Sequence, residues 1–328
     1  MEKKLIKIDI KKNILQKDWV NHPHDKFFKI VFSNLKNTID FISKIFPSNV
    51  IELLDLNSLK LDKDSFLDEK LKDSFSDLVF SIKLKTKKNI KISLLFEHKT
   101  KQSDNIYVQL LTYLLNFYKT IKKGKKLELI IPIIVYHGKN EWKKKEFSEY
   151  FTFESKELKR FIPNFDYILS DLSAYTDEEL QTKKFNRAEL ETALLLMKNI
   201  YDVKKLMRNL TKYLQLIKPL LDAEDKYIIT IFTYLINTMD IDYKKIAKEI
   251  RKASKKGGDF VMTTAQRLIN EGRAEGRSEG RSEGRSEGRT EEKRESVVRM
   301  FKKGIKIDDI SDITGLSNNE IETILKIN

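Results

Sequence analysis

Residues 76–99, SDLVFSIKLKTKKNIKISLLFEHK, decide the fold. The first part, SDLVFSIKLK, alternates and places Leu78, Phe80, Ile82 and Leu84 on one face, as a strand with one buried side does. The second, NIKISLLFE, becomes continuously apolar at its end, as a central strand buried on both faces does. The polar TKKN between them predicts an antiparallel hairpin in which the second strand lies deeper.

Upstream, a helix starts near Asp25 and runs in pieces through KFFKIVFSNLKNTIDFISKIF, with Phe28, Phe32, Ile39, Ile42 and Ile45 at helical spacing before Pro47. Downstream, Asp104 is placed to cap a helix reaching Tyr118, striped by Tyr107, Leu110, Leu111, Leu114 and Tyr118. The next strand is LELIIPIIVYHG, where Pro132 removes a ladder donor and predicts a bulge or a position near one edge. Helix, hairpin, helix and strand in this order describe a mixed α/β core whose last strand returns parallel through the helical crossover.

From about Asn186 to Lys256 the pattern is helical throughout. Gly272 to Thr290 then repeats a tetrapeptide, EGRA EGRS EGRS EGRS EGRT with its preceding Glu271. Each interior glycine costs a helix ~1 kcal/mol relative to alanine, which predicts a flexible or marginally helical linker. Glu and Arg stand two apart, a spacing that does not make them partners on one helix face. Beyond it, ISDITGLSNNEI reads as a helix-turn-helix with Gly315 at the turn and Ser317 and Glu320 as a capping box. Acids and bases balance in this last unit, so oligomerisation or partner binding is as open as DNA contact.

Composition sets the outer bounds. A chain of 328 residues with 40% hydrophobic content can bury a real core. It has no cysteine, which excludes disulfides, thiolate zinc sites and a cysteine nucleophile, and fits a reducing compartment. Nothing approaches the ~20 apolar residues of a membrane span, so the expected location is cytoplasmic. The net charge of +14 is the footprint of a protein that meets a polyanion, or of lysine spread thinly over the whole chain.

Chemistry concentrates at the hairpin ends. Asp77 opens one strand and Glu97 ends the next, so a short turn can bring both carboxylates to one end of the sheet. Lys99 projects from the same face as Glu97 if the strand continues. Two carboxylates suffice for Mg2+, and a lysine beside them can orient or deprotonate a water and meet a phosphate. Gln109 and Tyr113 share a helix face, able to bind the nucleic-acid backbone or to hold the lysine and acids in place; Tyr113 also fits as a core aromatic. Asp25 fits as a helix N-cap. His22, His24 and Asp25 hint at a histidine-aspartate metal cluster, but only His98 and His137 remain to complete one. His98 should point away from Glu97, and His137 reads either as a turn residue or as facing the site.

Taken together, HDKFFKIVFSN, DFISKIFP, LLDLNSL, SDLVFSI, LLFEHKT and IIPIIVYHGKNEW resemble, in order and spacing, the Rpn family of recombination-promoting nucleases, transposase-like members of the PD-(D/E)XK superfamily. The resemblance covers about half the chain. It implies a restriction-endonuclease-like mixed sheet flanked by helices at 18–172; the residue pattern beyond it reads as a helical subdomain at 173–258, a repeat linker at 259–292 and a C-terminal helix-turn-helix-like unit at 293–328, and the resemblance carries nothing onto the last two. It further implies a Mg2+-dependent DNA endonuclease, with Mn2+ as a substitute, linked to recombination or mobile elements. Asp77 and Glu97 then hold the metal, Lys99 takes the motif's basic or amide position, and Asp25 is an additional ligand or water contact. Many relatives look more like Glu-His-Gln at the position of Lys99. The rival expectation is a noncatalytic or decayed DNA-binding and assembly protein that oligomerises through its C-terminal helices.

Overall fold

Apolar residues recur at helical spacing on both sides of Asn34, and two helices form there, α1 at Pro23–Ser33 and α2 at Leu35–Ile45. Pro23 sits in the first turn, where its missing N–H costs nothing, and Asn34 caps α2 by accepting from Lys36 N. The N-cap of α1 is His22, so Asp25 lies inside the first turn and is not the cap expected from the sequence. This is a computed structural model, and it describes residues 19, 21–62, 78–85, 91–120, 124, 126–152 and 155–327.

After a single turn, α3 (Ser48–Ile51), come β1 (Leu54–Leu61), β2 (Leu78–Leu84), β3 (Lys91–Lys99), α4 (Ile106–Thr120), β4 (Ile130–Tyr136) and β5 (Ile168–Asp171). The five strands form one sheet in sequence order, which puts β3 at its centre. The hairpin is present, with Leu78 opposite Phe96 and Lys83 opposite Lys91. The parallel return is present too: β4 pairs β3 from Ser93–Ile130 to Lys99–Tyr136, and β5 adds in parallel to β4. β4 is an interior strand. Its pairing with β5 starts at Ile133, so Pro132 falls where β4 has a neighbour on one side alone, which tolerates the lost donor.

Alternation along β3 feeds two cores. Leu95 joins Ile106, Leu110, Tyr113 and Ile134 under α4. Phe96 points to the other face, where its ring lies 5.8 Å from Phe32 of α1, 6.2 Å from Phe41 of α2 and 5.2 Å from Phe80 of β2. The chain continues as helices α5 (Asp177–Thr182), α6 (Ala188–Asn199), α7 (Val203–Gln215), α8 (Lys218–Asp222), α9 (Lys226–Thr238) and α10 (Tyr243–Ala253). Tyr234 of α9 stacks on Phe27 at 4.1 Å, so these helices share one compact unit, Ile14–Ala265, with the sheet.

The repeat departs from expectation. It lies within a continuous helix of 48 residues, α11 (Lys255–Lys302), where a flexible or marginal linker was predicted. Val261 and Ala265 near one end and Val297 near the other are buried, and a helix anchored at both ends needs only propagation through its glycines, not fresh nucleation. Two short helices follow, α12 (Ile307–Thr314) and α13 (Asn318–Ile327), around Val297, Ile310 and Ile321. Gly315 ends α12 at φ 69°, a left-handed position suited to glycine. The capping box forms as read: Ser317 N donates to Glu320 Oε2 at 2.8 Å and Glu320 N to Ser317 Oγ at 3.4 Å. No helix among the described residues is long and apolar enough to cross a membrane.

Candidate active site

The parallel strands β3, β4 and β5 end together, and the carboxyl ends of parallel strands are where open α/β sheets place ligands. Glu97 and Lys99 sit at that end on the face covered by α4. Their side chains meet at 2.5 Å, Lys99 Nζ to Glu97 Oε1. From α4, Gln109 donates to the same oxygen at 3.2 Å and to the Tyr113 hydroxyl at 3.3 Å. The helical i, i+4 spacing read from the sequence thus brings Gln109 and Tyr113 to Glu97. Asp77 lies outside the described residues, which resume at Leu78.

Four carboxylates are buried among the described residues: Asp40, Glu97, Asp171 and Asp177. Asp40 accepts from Asn186 and Arg187, Asp171 from Trp142 and Ser173, and Asp177 from Asn199, Tyr213 and Lys205. Glu97 differs. Its Oε2 is buried and makes no hydrogen bond of ordinary geometry, whereas Oε1 takes Lys99 and Gln109, and the Tyr113 hydroxyl stands close enough to favour the ionised form. Burial raises the Glu97 pKa, Lys99 opposes that shift, and the charge of Asp25 adds to it. The Tyr113 hydroxyl is raised as well, first by burial and then by the Glu97 charge. A buried carboxylate oxygen short of hydrogen bonds carries a cost of several kcal/mol unless something compensates it. A hard divalent cation takes such an oxygen, with one or two carboxylates and water completing its shell. The donor at Glu97 therefore fits Mg2+ in kind.

Asp25 faces this region from α1 and receives the ring of His98 at 2.7 Å, Nδ1 to Oδ1. His98 points to the opposite side of β3 from Glu97, as alternation requires, and lies stacked on Phe28 at 4.9 Å. All four histidines, which come from three segments of the chain, gather near Asp25. His22 Nδ1 is 3.9 Å from Asp25 Oδ2, the His98 and His137 rings are 4.8 Å apart, and those of His24 and His137 are 5.1 Å apart. His137 is fully buried and donates from Nδ1 to Met197 O at 3.1 Å, so it is a core residue on the helical side of the sheet. Gly138 follows it because a Cβ there would fall 2.0 Å from the Tyr136 hydroxyl, which reaches over to donate to Asn140 O. No group of three or more histidines and acids among the described residues is arranged to hold a metal ion; His24, His98 and His137 form a largely buried wedge, with His22 exposed at its edge.

The wedge has a pH signature. Burial, with the neighbouring His98, pulls His24 from 6.5 down to about 4; burial also lowers His98 and His137. A histidine depressed in the folded state contributes stability that is whole above its unfolded pKa and lost as pH falls through the folded one. The free energy of unfolding should therefore drop between pH 6.5 and 4, and His24→Asn should shrink the drop. Equal losses in wild type and His24→Asn, measured by urea melts across that range, would contradict this origin.

The loop after β4 is fastened beside the site. Gln102 donates to Lys143 O at 3.2 Å and the Tyr107 hydroxyl to Lys145 O at 3.0 Å. Next to Tyr107 opens a cavity of about 940 Å3 lined by Tyr107 and Phe147 and by both cations and acids, Lys145 and Arg160 with Glu146 and Asp166.

The family model described as "Putative transposase, YhgA-like" matches residues 22–227. The chain is 25% identical over 305 residues to recombination-promoting nuclease RpnA of Escherichia coli K12, covering 91% of this chain and 96% of the relative. It is 26% identical to recombination-promoting nuclease RpnC of the same strain, over 93% of this chain and 97% of that one. A further K12 relative, 26% identical over 76% of this chain and 82% of its own, is named inactive recombination-promoting nuclease-like protein RpnE. No solved structure matches.

Proposed function

Because this chain belongs to the YhgA-like transposase family that holds the Rpn recombination-promoting nucleases, we propose that it is a Mg2+-dependent DNA endonuclease with its active site at Glu97 and Lys99. The observation that carries the proposal is the buried Oε2 of Glu97, without a hydrogen bond of ordinary geometry, beside a lysine. Glu97 and Asp77 would hold the cation, with Mn2+ able to replace it. Bound there, a divalent cation supplies an activated water and neutralises charge on the scissile phosphate. Gln109 and Lys99 occupy Glu97 Oε1 and so leave Oε2 for the metal. Lys99, in contact with Glu97, is placed to orient the water and meet the phosphate. Asp25, fixed by His98, adds negative charge at the edge.

Mg2+ or Mn2+ titrated against labelled plasmid DNA should yield nicked or linear product. A second reading, a decayed DNA-binding and assembly protein, is favoured by the relative named inactive, and a mobility shift without product at any metal concentration would support it. Gln109→Ala should slow single-turnover cleavage by roughly 10- to 100-fold, the usual cost of removing a group that orients a metal ligand. It should also raise the Mg2+ concentration needed for half-maximal rate. An unchanged rate and metal midpoint would remove Gln109 from the site.

A further inference from the structure

On α11 the repeat places a cation at every fourth residue: Arg277, Arg281, Arg285, Arg289 and Lys293. With a rise of 1.5 Å per residue, successive cations stand ~6 Å apart along one slowly winding stripe. All five are exposed, and among the described residues no ion pair or hydrogen bond engages the four arginines. A hydroxyl follows each arginine, at Ser278, Ser282, Ser286 and Thr290, and no carboxylate lines the shallow concavity these residues share. The stripe works against the helix as it stands, because like charges at i, i+4 each cost a few tenths of a kcal/mol.

We propose that this stripe docks the phosphate backbone of duplex DNA, a surface apart from the proposed catalytic site that rests on DNA being its substrate. Arginines and hydroxyls are the side chains that contact phosphate without reading sequence. Cations repeating every ~6 Å make a dense positive line, which a helix crossing the sugar-phosphate backbone can lay against neighbouring phosphates. The glutamates, such as Glu283 and Glu287, project from the opposite side. A helix is ~10–12 Å across and the Debye length is ~10 Å at 0.1 M salt, so their repulsion is largely screened from a strand on the arginine side. A second copy of the chain is the weaker occupant. It could match Arg against Glu, but exposed pairs are worth ~0–1 kcal/mol each and the repeat offers only glycine, serine, one alanine and one threonine to bury between helices.

The test is binding of a labelled 30-bp duplex by the full chain in EDTA, where no metal-dependent cleavage occurs, read by anisotropy from 50 to 300 mM KCl. Replacing Arg277, Arg281, Arg285 and Arg289 together by Gln should flatten the slope of log K against log salt by about 3 to 4, since each phosphate contact contributes ~0.9. Affinity at 50 mM KCl should fall by 100-fold or more. Replacing the same four by Lys should restore most of the slope, and Glu283→Gln with Glu287→Gln should leave it unchanged or strengthen binding. Circular dichroism of the Gln and Lys variants reports whether the helix persists, and the Lys set carries the test if the Gln set unfolds. An unaltered slope in the Gln variant would overturn the proposal, as would a wild-type chain that does not bind the duplex. A fall in sedimenting mass with the slope intact would overturn it in favour of pairing between copies. Because no cleavage is read, an inactive enzyme that still binds leaves the result interpretable.

Discussion

Glu97→Gln should abolish Mg2+-dependent cleavage, with a loss of at least about 10^2-fold, the scale on which single groups facing developing charge act. The substitution keeps the volume of the side chain and an oxygen for Lys99, so packing on α4 is retained. It removes the charge that a cation needs. Its effect on stability should run the other way. Burial raises the Glu97 pKa in the folded state, so the ionised carboxylate costs stability at neutral pH and that cost fades as pH falls through the folded value. In EDTA the variant should therefore melt at or above the wild-type temperature at pH 7, and the difference should narrow toward pH 4. Lost activity in a chain that melts higher separates a catalytic carboxylate from a structural one. A variant that melts lower and cleaves normally would assign Glu97 to the fold alone.

Phe96→Ala should cost about 3–5 kcal/mol, the range for emptying a buried aromatic site. That is a large part of the ~5–15 kcal/mol by which a domain is stable. Its ring is fully buried and meets aromatic rings from α1, α2 and β2, so no single element can collapse into the space it leaves. It also immediately precedes Glu97 on β3. The denaturation midpoint should fall sharply, and activity should fall in proportion to the folded fraction. Leu84→Ala, half-buried at the end of β2, should cost far less. Equal shifts for the two would mean that the five-stranded core does not depend on the centre of β3.

The same physical contrast explains which parts of the fold were legible. The hairpin was readable because β2 alternates and β3 is apolar on both faces, and α4 because its stripe repeats at helical spacing. β1 shows no unbroken alternation: it lies at the sheet edge, and Asn57 and Ser58 put its two pairs of leucines out of phase where the register with β2 also shifts. β5 has four residues, too few to show a period. The repeat helix runs against its glycine propensity, which describes an isolated segment, because this one is held at both ends by buried residues. At the site, Glu97, Lys99, Gln109 and Tyr113 were found by local spacing, two or four residues apart on one element, and the structure brings them together. The bond between Asp25 and His98 joins residues 73 positions apart, which no period encodes.

The central claim is that Glu97 is a metal ligand beside Lys99. Its most direct test is anomalous diffraction from crystals of the full chain soaked in Mn2+. The account predicts a peak within bonding distance of Glu97 Oε2, about 2.0–2.3 Å, with waters completing the shell. Binding of Mn2+ elsewhere, with Glu97 Oε2 still unbonded while the crystallised protein cleaves DNA in Mn2+, would contradict it.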